Sequence, residues 1–332
     1  MRNVASISIL FVLVGCTVRT SDGTDVTAPS DSPPSASTGE ETGSSDGDAN
    51  SGPAEPADTG SDGGTAGDGS APTEPPPLPQ ETTRRLLHEV FTGSNCKPCV
   101  EADSNIEAVA YSNPGLYTMI KYQVGSDPYI SAEGVQRRLY YLPPGQGSYK
   151  IPYAHADGIH GFHPNEVNDD QGYLQSDFEA WQSPPAHLLM NVQSTVSGQT
   201  VTIEGTVTAL QDFPSENLVI HLAIIEWFTL HNIGINGQEA FHHVMKKMVP
   251  DADGSPVGPL TRGDVIEVSE SYTFQGDYAP GTTMQSPVNH AVEHTVEHFE
   301  HLSVVAWIQD TESTQVHQST WDYPDDPPDY IP

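Results

Sequence analysis

The sequence has few cysteines and few basic residues. Of 332 residues, three are cysteine and twelve are lysine or arginine, against 45 acidic residues, so the formal net charge is −33. The shortage of basic residues argues against nucleic acid or an anionic membrane surface as a partner, because both need a basic footprint. The acidic balance identifies no substrate, since it also fits a solvated surface in a salty environment.

Several motifs of well-known enzyme classes are also missing. The chain contains no glycine-rich phosphate loop and no serine in a nucleophile-elbow motif. It has one long apolar run, residues 4–14, which is too short to span a bilayer as a mature helix. Because a short basic segment, residues 1–3, precedes this run, the start of the chain predicts an export signal peptide.

The apolar run is followed by the sequence Leu-Val-Gly-Cys at residues 13–16. This resembles the lipobox of bacterial lipoproteins, in which a diacylglycerol is attached to the cysteine and cleavage leaves that cysteine N-terminal. The resemblance implies that Cys16 is a lipid anchor, with ordinary secretory cleavage nearby as the alternative. Thr17 replaces the Asp that often retains lipoproteins in the inner membrane, which implies a lipid-anchored protein of the bacterial cell envelope, at the outer membrane. Either route leads to a compartment where disulfides persist.

Residues 17–80 are predicted to be a disordered, acidic linker. They consist almost entirely of Ser, Thr, Gly, Asp, Glu, Ala and Pro. Such a segment cannot bury enough apolar surface to offset the entropy lost on ordering, and its like charges favour an extended chain. We therefore expect a tether between the signal peptide, residues 1–16, and a folded part that begins near residue 81.

The chemistry of the chain is concentrated in the sequence Cys-Lys-Pro-Cys at residues 96–99. The apolar run 86–91 predicts a buried strand, residues 92–95 a turn, and the residues from Pro98 onward a helix. This combination favours a redox-active pair, although the spacing alone also fits half a zinc site or an inert structural disulfide. A zinc site needs two more ligands of matching type, and the one remaining cysteine is Cys16.

The first cysteine of the motif is predicted to lie at a helix N-terminus. There, unpaired backbone N–H groups and the positive end of the helix dipole lower the pKa of a thiol and favour the reactive thiolate. Lys97 adds a positive charge beside Cys96. Because Cys99 is one turn further along, it can close a disulfide with Cys96 or resolve a mixed one.

The residues after the motif predict an α/β domain that extends to residue 183. Apolar residues at helical spacing continue the first helix to a break at residues 113–115, and Glu101, Asp103 and Glu107 are predicted on its other face.

Three further elements complete this predicted domain. Residues 116–124 predict a second strand, and residues 131–142 a second helix with a serine cap. Residues 151–158 predict a short strand that begins Ile-Pro and ends at a glycine turn.

This order of elements resembles the thioredoxin superfamily at Cys96, Cys99 and Pro152. The resemblance implies that Pro152 is cis and packs against the disulfide, so that the backbone of Ile151 is exposed to a bound substrate chain. With Cys96 as nucleophile and Cys99 as resolving thiol, Lys97 and the proline between the cysteines, Pro98, would tune the thiolate.

One position departs from the thioredoxin pattern. Thioredoxin has a buried Asp six residues before its first cysteine, which acts as a base for the second, and this position is Val90 here. Glu89 is adjacent, but neighbouring side chains of a strand point to opposite faces. The resemblance therefore supplies no base for Cys99, and slower exchange or a pair that never turns over stays open.

Several segments are similar to a narrower family. They are residues 89–99, 127–128, 137–141, 151–158, 241–248 and 304–310. These segments resemble the "outer-membrane-protein twenty-eight" family of thioredoxin-like bacterial envelope proteins, in patches over about residues 84–320. The resemblance implies a thioredoxin-like domain followed by a β-sandwich. Since the role of that family is poorly defined, it indicates architecture rather than a reaction.

The pattern after residue 183 changes from helical to alternating. Seven segments predict strands separated by turns: residues 188–196, 200–210, 218–227, 240–249, 264–274, 302–309 and 316–321. Short strands in this number predict that residues 184–332 form an antiparallel sandwich of immunoglobulin-like type.

Two motifs in this second part suggest metal ligands. His290, His294 and His298 lie four residues apart, which would align them on a helix, but the run enters an apolar strand and favours a polar loop. Residues 251–254, Asp-Ala-Asp-Gly, resemble the start of a calcium loop and lack its later ligands. His155 could face the cysteines or be solvated. The sequence predicts neither a metal nor a cofactor.

Two functions follow from the sequence. The first is an exported, lipid-anchored thiol–disulfide oxidoreductase that exchanges disulfides with cysteine-containing envelope proteins or a redox partner. The alternative is a non-catalytic binding or structural lipoprotein of the cell envelope, in which the disulfide of a thioredoxin scaffold is structural. The Lys-Pro interior of the motif and Pro152 favour the first, and Val90 and the large second domain favour the alternative.

Overall fold

The computed structural model describes residues 76–143, 146, 150–166, 172–232, 234–279 and 286–322. They belong to a compact unit that begins at Pro72. The predicted signal peptide, the predicted lipidation site Cys16 and the predicted linker up to residue 75 lie outside the described residues. None of the helices within those ranges is long and apolar enough to cross a membrane.

The described residues form a β-rich structure with few helices. The helices are α1 (Lys97–Tyr111), α2 (Ala132–Tyr140) and α3 (Gln175–Gln182), with a 3-10 turn at Phe299–His301. The strands are β1 (Leu86–Thr92), β2 (Tyr117–Gln123), β3 (Tyr153–Ala156), β4 (His160–Phe162), β5 (Leu188–Ser197), β6 (Thr200–Ala209), β7 (Leu218–Thr229), β8 (Phe241–Val249), β9 (Ser255–Pro256), β10 (Val265–Thr273), β11 (Asp277–Tyr278), β12 (Glu293–His294), β13 (Leu302–Asp310) and β14 (Val316–Trp321). The predicted helices and long strands are present, while the short strands β4, β9, β11 and β12 and the helix α3 were not predicted.

The elements around the cysteines have clear local causes. Every residue of β1 is buried, including the polar His88, Glu89 and Thr92, so both faces of this strand are covered. Cys96 is extended and caps α1, and Pro98 occupies the first turn, where its missing N–H costs no hydrogen bond. The helix α2 begins at a serine cap, since Ser131 Oγ accepts a hydrogen bond from Gly134 N at 3.0 Å.

A mixed, nine-stranded sheet is the main structural feature. Its strand order is β14-β13-β7-β8-β2-β1-β3-β4, and β9 pairs with β7 at the side. The strand β1 is parallel to β2 and antiparallel to β3, which is antiparallel to β4. The strands β2 and β8 are parallel and join where Lys121 lies opposite Val244.

The sheet therefore continues across the predicted domain boundary at residues 183 and 184. Four of the seven strands predicted for the second domain, β7, β8, β13 and β14, belong to the same sheet as β1 and β2. The physical reason is that β2 would otherwise expose an edge of unpaired backbone groups, and β8 covers that edge. The described residues on the two sides of this boundary thus share one sheet.

The remaining long strands form a second layer. A three-stranded sheet of order β10-β6-β5 packs on one face of β7 and β13 through Leu222, Ile224, Val304 and others. The alternate residues of the same two strands, such as Ala223 and Trp307, belong to the core around β1 and β2. Since side chains alternate along a strand, β7 and β13 contribute to both cores.

Candidate redox site

Cys96 and Cys99 form a disulfide at the N-terminus of α1. Their Cα atoms are 5.3 Å apart. Cys96 is 9% exposed and Cys99 is fully buried, so Cys96 is the less buried residue of the pair. Lys97 and Pro98, between them, are exposed. The predicted redox residues therefore lie together, with the nucleophile candidate on the outside and the resolving candidate inside.

The segment before β3 lies against the disulfide. The Ile151–Pro152 peptide bond is cis, as predicted. The carbonyl oxygen of Ile151 is 3.7 Å from the Sγ of Cys96, and Pro152 is buried beside it. The structure thus brings the predicted groove residues to the predicted nucleophile.

The loop from Gly93 to Asn95 is fixed by the segment that follows β2. Ser94 N donates to Asp127 Oδ2 at 2.7 Å, and Asn95 Nδ2 donates to the carbonyl of Ser126 at 2.5 Å. Asp127 is buried, which raises the pKa of its carboxyl. A side chain at Gly93 would place Cβ 2.9 Å from a backbone oxygen, so only glycine fits without a shift. The loop before Cys96 is therefore fixed by hydrogen bonds to the segment that follows β2.

A segment between β7 and β8 also packs on this loop, and the sequence analysis did not identify it. Asn236 N donates to the carbonyl of Ser94 at 3.0 Å, and its Nδ2 lies 3.4 Å from the carbonyl oxygens of Gly93 and Cys96. A Cβ at Gly234 would lie 2.2 Å from Ser94 O, which shows how closely the two backbones approach. The redox motif is thus enclosed partly by residues that follow it by more than a hundred positions.

A buried charge cluster lies along α1 below the disulfide. Asp103, predicted on the polar face of α1, is 2% exposed, and it accepts a hydrogen bond from Gln238 Nε2 at 3.0 Å. Lys121 Nζ is 3.5 Å from Asp103 Oδ1 and 2.6 Å from Glu107 Oε1, and His242 Nδ1 is 3.0 Å from Glu107 Oε1. The prediction for Asp103 is therefore wrong, because Lys121 and Gln238 give a charged residue partners inside the protein.

The protonation of this cluster depends on burial and on Lys121. Burial raises the pKa of Asp103, although the charge of Lys121 opposes this shift. Burial acts in the same direction on Glu107, but Lys121 and His242 together hold the pKa of Glu107 below its usual value. The two carboxyls of one helix therefore differ in protonation behaviour, and Asp103 is the one that more easily holds a proton.

Glu89 and Val90, in the middle of β1, point to opposite sides, as expected for a strand. Val90 is buried and pairs in register with Lys121, so it lies on the face that α1 covers. Glu89 is also buried, on the other face, where it accepts hydrogen bonds from Arg137 Nη2 at 2.8 and 2.9 Å and from Tyr122 Oη at 2.9 Å. Glu89 is thus occupied by these partners and is no base for Cys99.

The histidines singled out by the sequence lie apart from one another. His155 is buried, pairs in register with Glu89 and stacks on Tyr141 with ring centroids 4.0 Å apart. Burial lowers the pKa of His155 to about 4. On this face of the sheet, it neighbours Glu89 rather than α1.

The stretch His290 to His298 contains no α-helix. His290 lies beside Glu133, His294 Nε2 is 3.0 Å from Gln199 Nε2, and His298 contacts Glu300. The Asp251 carboxylate accepts a hydrogen bond from Asp253 N at 2.9 Å, within a tight turn. In the part of the chain that the structure describes, no group of three or more His, Cys, Asp or Glu side chains is placed to hold a metal ion.

No protein family model matches the sequence, and no curated protein matches it. Among solved structures, it is similar to HBP35 of Porphyromonas gingivalis, with a TM-score of 0.54 and 12% identity over 76% of this chain and 79% of that one. A structural-genomics protein from Agrobacterium tumefaciens matches with a TM-score of 0.45 and 13% identity over 73% of this chain and 95% of that one. The second score is too low to support an argument, and at 12% identity the first indicates similarity of the β-rich fold alone.

Proposed function

We propose that the chain is a thiol–disulfide oxidoreductase with Cys96 as nucleophile and Cys99 as resolving thiol. The observation that carries this proposal is the asymmetry of the pair, because Cys96, at the helix N-terminus, is 9% exposed, whereas Cys99, one turn further along, is fully buried. The carbonyl of Ile151, 3.7 Å from the outer sulfur, gives an incoming polypeptide a backbone group to bind.

The reaction needs only the groups of this site and a substrate disulfide. The Cys96 thiolate, stabilised by the α1 N-terminus and the positive charge of Lys97, attacks one substrate sulfur, and the other substrate sulfur leaves and takes up a proton. Cys99 then attacks Cys96, which re-forms the disulfide and releases the second substrate thiol. The substrate gains two electrons, and the pair loses two. The reverse sequence oxidises a substrate dithiol.

A finer fold assignment belongs to the same proposal. We propose that β1, α1, β2, α2, β3, β4 and α3 form a thioredoxin-like unit and that β5 to β14 add an immunoglobulin-like sandwich. The sheet order β2-β1-β3-β4, with β1 and β2 parallel and the following two strands antiparallel, supports the first assignment.

We also propose a relation to the "outer-membrane-protein twenty-eight" family, which the similar sequence segments between about residues 84 and 320 support. An envelope location with a lipid at Cys16, and cysteine-containing envelope proteins as partners, belong to this proposal.

A non-catalytic role is the second candidate. It is favoured by the segment around Asn236, which contacts the carbonyl of Cys96 and encloses the motif loop, and by Val90 at the position of the thioredoxin acid. In that case the disulfide would be structural, and the protein would act through a binding surface elsewhere.

The reduction potential distinguishes the two candidates. The full chain with Cys16→Ser, whose only thiols are Cys96 and Cys99, is equilibrated with glutathione redox buffers, alkylated and analysed by mass. An exchange catalyst is expected between roughly −120 and −270 mV, with Cys96 alkylated first in the reduced protein. A potential below roughly −300 mV, with both thiols slow to react, would indicate a structural disulfide. Cys96→Ser and Cys99→Ser serve as matched controls for the order of alkylation.

A further inference from the structure

We propose that Asp103 accepts the proton of Cys99 when Cys99 resolves the mixed disulfide. This role rests on the proposed oxidoreductase function and adds a proton acceptor on α1 to it. Neither of the two β1 residues considered above offers a base, since Val90 replaces the acid of thioredoxin and Glu89 is held on the opposite face of the sheet by Arg137.

Helix geometry brings the two side chains together. Cys99 and Asp103 are four residues apart on the buried face of α1, with exposures of 0% and 2%. Residues at this spacing lie one above the other, with Cβ atoms about 5–6 Å apart. Because Cα–Cβ bonds tilt toward the helix N-terminus, the Asp103 carboxyl is directed toward the turn that holds Cys99. In the proposed step the proton passes from Cys99 to this carboxyl, through one water molecule where the two groups do not touch.

The Asp103 carboxyl is less tightly paired than the other carboxyl of the cluster. Its Oδ2 accepts a hydrogen bond from Gln238 Nε2 at 3.0 Å, and its buried Oδ1 lies 3.5 Å from Lys121 Nζ. The same ammonium group is 2.6 Å from Glu107 Oε1. A proton on Asp103 Oδ1 would therefore replace a long contact rather than a short hydrogen bond.

The other acidic group of the cluster is less suited to this task. Glu107 is a further turn along α1, and both Lys121 and His242 contact its Oε1 at 2.6 and 3.0 Å. These charges keep Glu107 ionised, whereas burial moves the pKa of Asp103 upward. A carboxyl with a raised pKa takes up a proton more readily than one whose pKa is lowered.

Resolution of the mixed disulfide combines one proton transfer with one exchange of sulfur–sulfur bonds. In the mixed disulfide, the Cys99 S–H bond breaks, its proton goes to the Asp103 carboxylate, and the thiolate attacks Cys96 Sγ. The Cys96–Cys99 bond forms while the bond from Cys96 to the substrate sulfur breaks, and the electron pair leaves on that sulfur. The substrate thiolate takes a proton from water, and Asp103 later returns its proton to water.

The test measures the resolving step at several pH values in the full chain with Cys16→Ser. Reduced protein is mixed with a disulfide-bonded fluorescent peptide, and release of the second peptide thiol is followed by stopped flow from pH 5 to 9. For Asp103→Asn, we expect release at pH 7 to slow by about 100-fold or more and to follow the titration of Cys99 itself. The alkylation rate of Cys96 should stay unchanged. Glu107→Gln, which removes a carboxylate from the same cluster, should leave the release profile near that of the wild type.

A second measurement needs no turnover. With Cys96→Ser in the background, the thiolate absorbance of Cys99 gives its pKa, and Asp103→Asn should lower this pKa by about one unit or more because a neighbouring negative charge is removed. If Asp103→Asn does not fold, Asp103→Ser, which removes the carboxylate without adding bulk, takes its place in both experiments.

The two proposals fail in different ways. A wild-type protein that never releases the second peptide thiol overturns the oxidoreductase function. An active wild type whose Asp103 variant keeps its release profile and its Cys99 pKa overturns the role of Asp103 alone. A loss of release that Glu107→Gln reproduces would also overturn it, because the effect would then belong to the charge of the cluster.

Discussion

Arg137 donates hydrogen bonds to both carboxylate oxygens of Glu89, and the two side chains are 2% and 0% exposed. Gln309 of β13 accepts a further hydrogen bond from Arg137 Nη2 at 3.0 Å. Removing one partner of such a pair leaves an uncompensated charge inside the protein. We therefore expect Arg137→Met to lower the free energy of unfolding by about 3–5 kcal/mol, measured by urea denaturation at pH 7.

The neighbouring arginine provides the matched control. Arg138 is half-buried on the same helix, so Arg138→Met should change the free energy of unfolding by about 1 kcal/mol or less. If the two variants lose equal amounts of unfolding free energy, the ion pair between Arg137 and Glu89 contributes no more to stability than a half-buried arginine does. Arg137→Lys should restore little, since an ammonium group cannot donate to both oxygens in the planar geometry of a guanidinium.

Gly234 is expected to control access to the disulfide. A Cβ at this position would lie 2.2 Å from Ser94 O, so Gly234→Ala must move its segment away from the motif loop and weaken the contacts of Asn236. We expect a loss of about 1–3 kcal/mol in the free energy of unfolding. After reduction, alkylation of Cys96 should become several-fold faster, as measured by mass spectrometry.

Gly237 gives the comparison in the same segment. Its φ is +87° and its Cβ position is open, so Gly237→Asn, a residue that tolerates this conformation, should cost less than about 1 kcal/mol. Faster alkylation of Cys96 in both variants would mean that the segment moves freely and that its contact with the loop does not govern access.

His88 is expected to make the fold sensitive to acid. It is buried against Phe178, and burial lowers its pKa from 6.5 to about 4. In the unfolded chain it takes up a proton at higher pH, so its contribution is present above pH 6.5 and is lost as the pH falls toward 4. The shift corresponds to about 3 kcal/mol. His88→Phe should reduce the loss of stability between pH 7 and pH 4.5, measured by urea unfolding at each pH.

Other groups titrate in the same pH range as His88, so the pH dependence of each variant is compared with that of the wild type. Burial raises the pKa of Asp157 to about 6, which favours the folded state at low pH and opposes the effect of His88. His231, whose side chain is 61% exposed, is the control site. If His231→Gln reduces the pH dependence as much as His88→Phe does, the acid sensitivity does not come from the buried imidazole.

The local features of the redox motif could be predicted from the sequence, because they depend on neighbouring residues. The apolar run of β1, the turn and Pro98 in a first helical turn are all visible within fifteen positions. The burial of Asp103 could not be predicted in this way. A charged residue is normally solvated, and its partners come from β2 and from Gln238, which follows it by 135 positions.

The same limit applies to the division into domains. The residues of β8 indicate a strand, but they do not identify the strand that pairs with it. The proline-rich break before β5 therefore suggested a boundary, whereas the pairing of Lys121 with Val244 joins the two parts into one sheet. Long-range pairing of this kind is fixed only when the whole chain folds.

The contact of Asn236 with Cys96 has a consequence for the order of synthesis. These two residues are separated by 140 positions, so both thiols of the motif are made long before the segment that encloses them. At that stage β7 and β8 are still missing. The two cysteines can thus come together on an open chain, whereas the segment that covers their loop is added later.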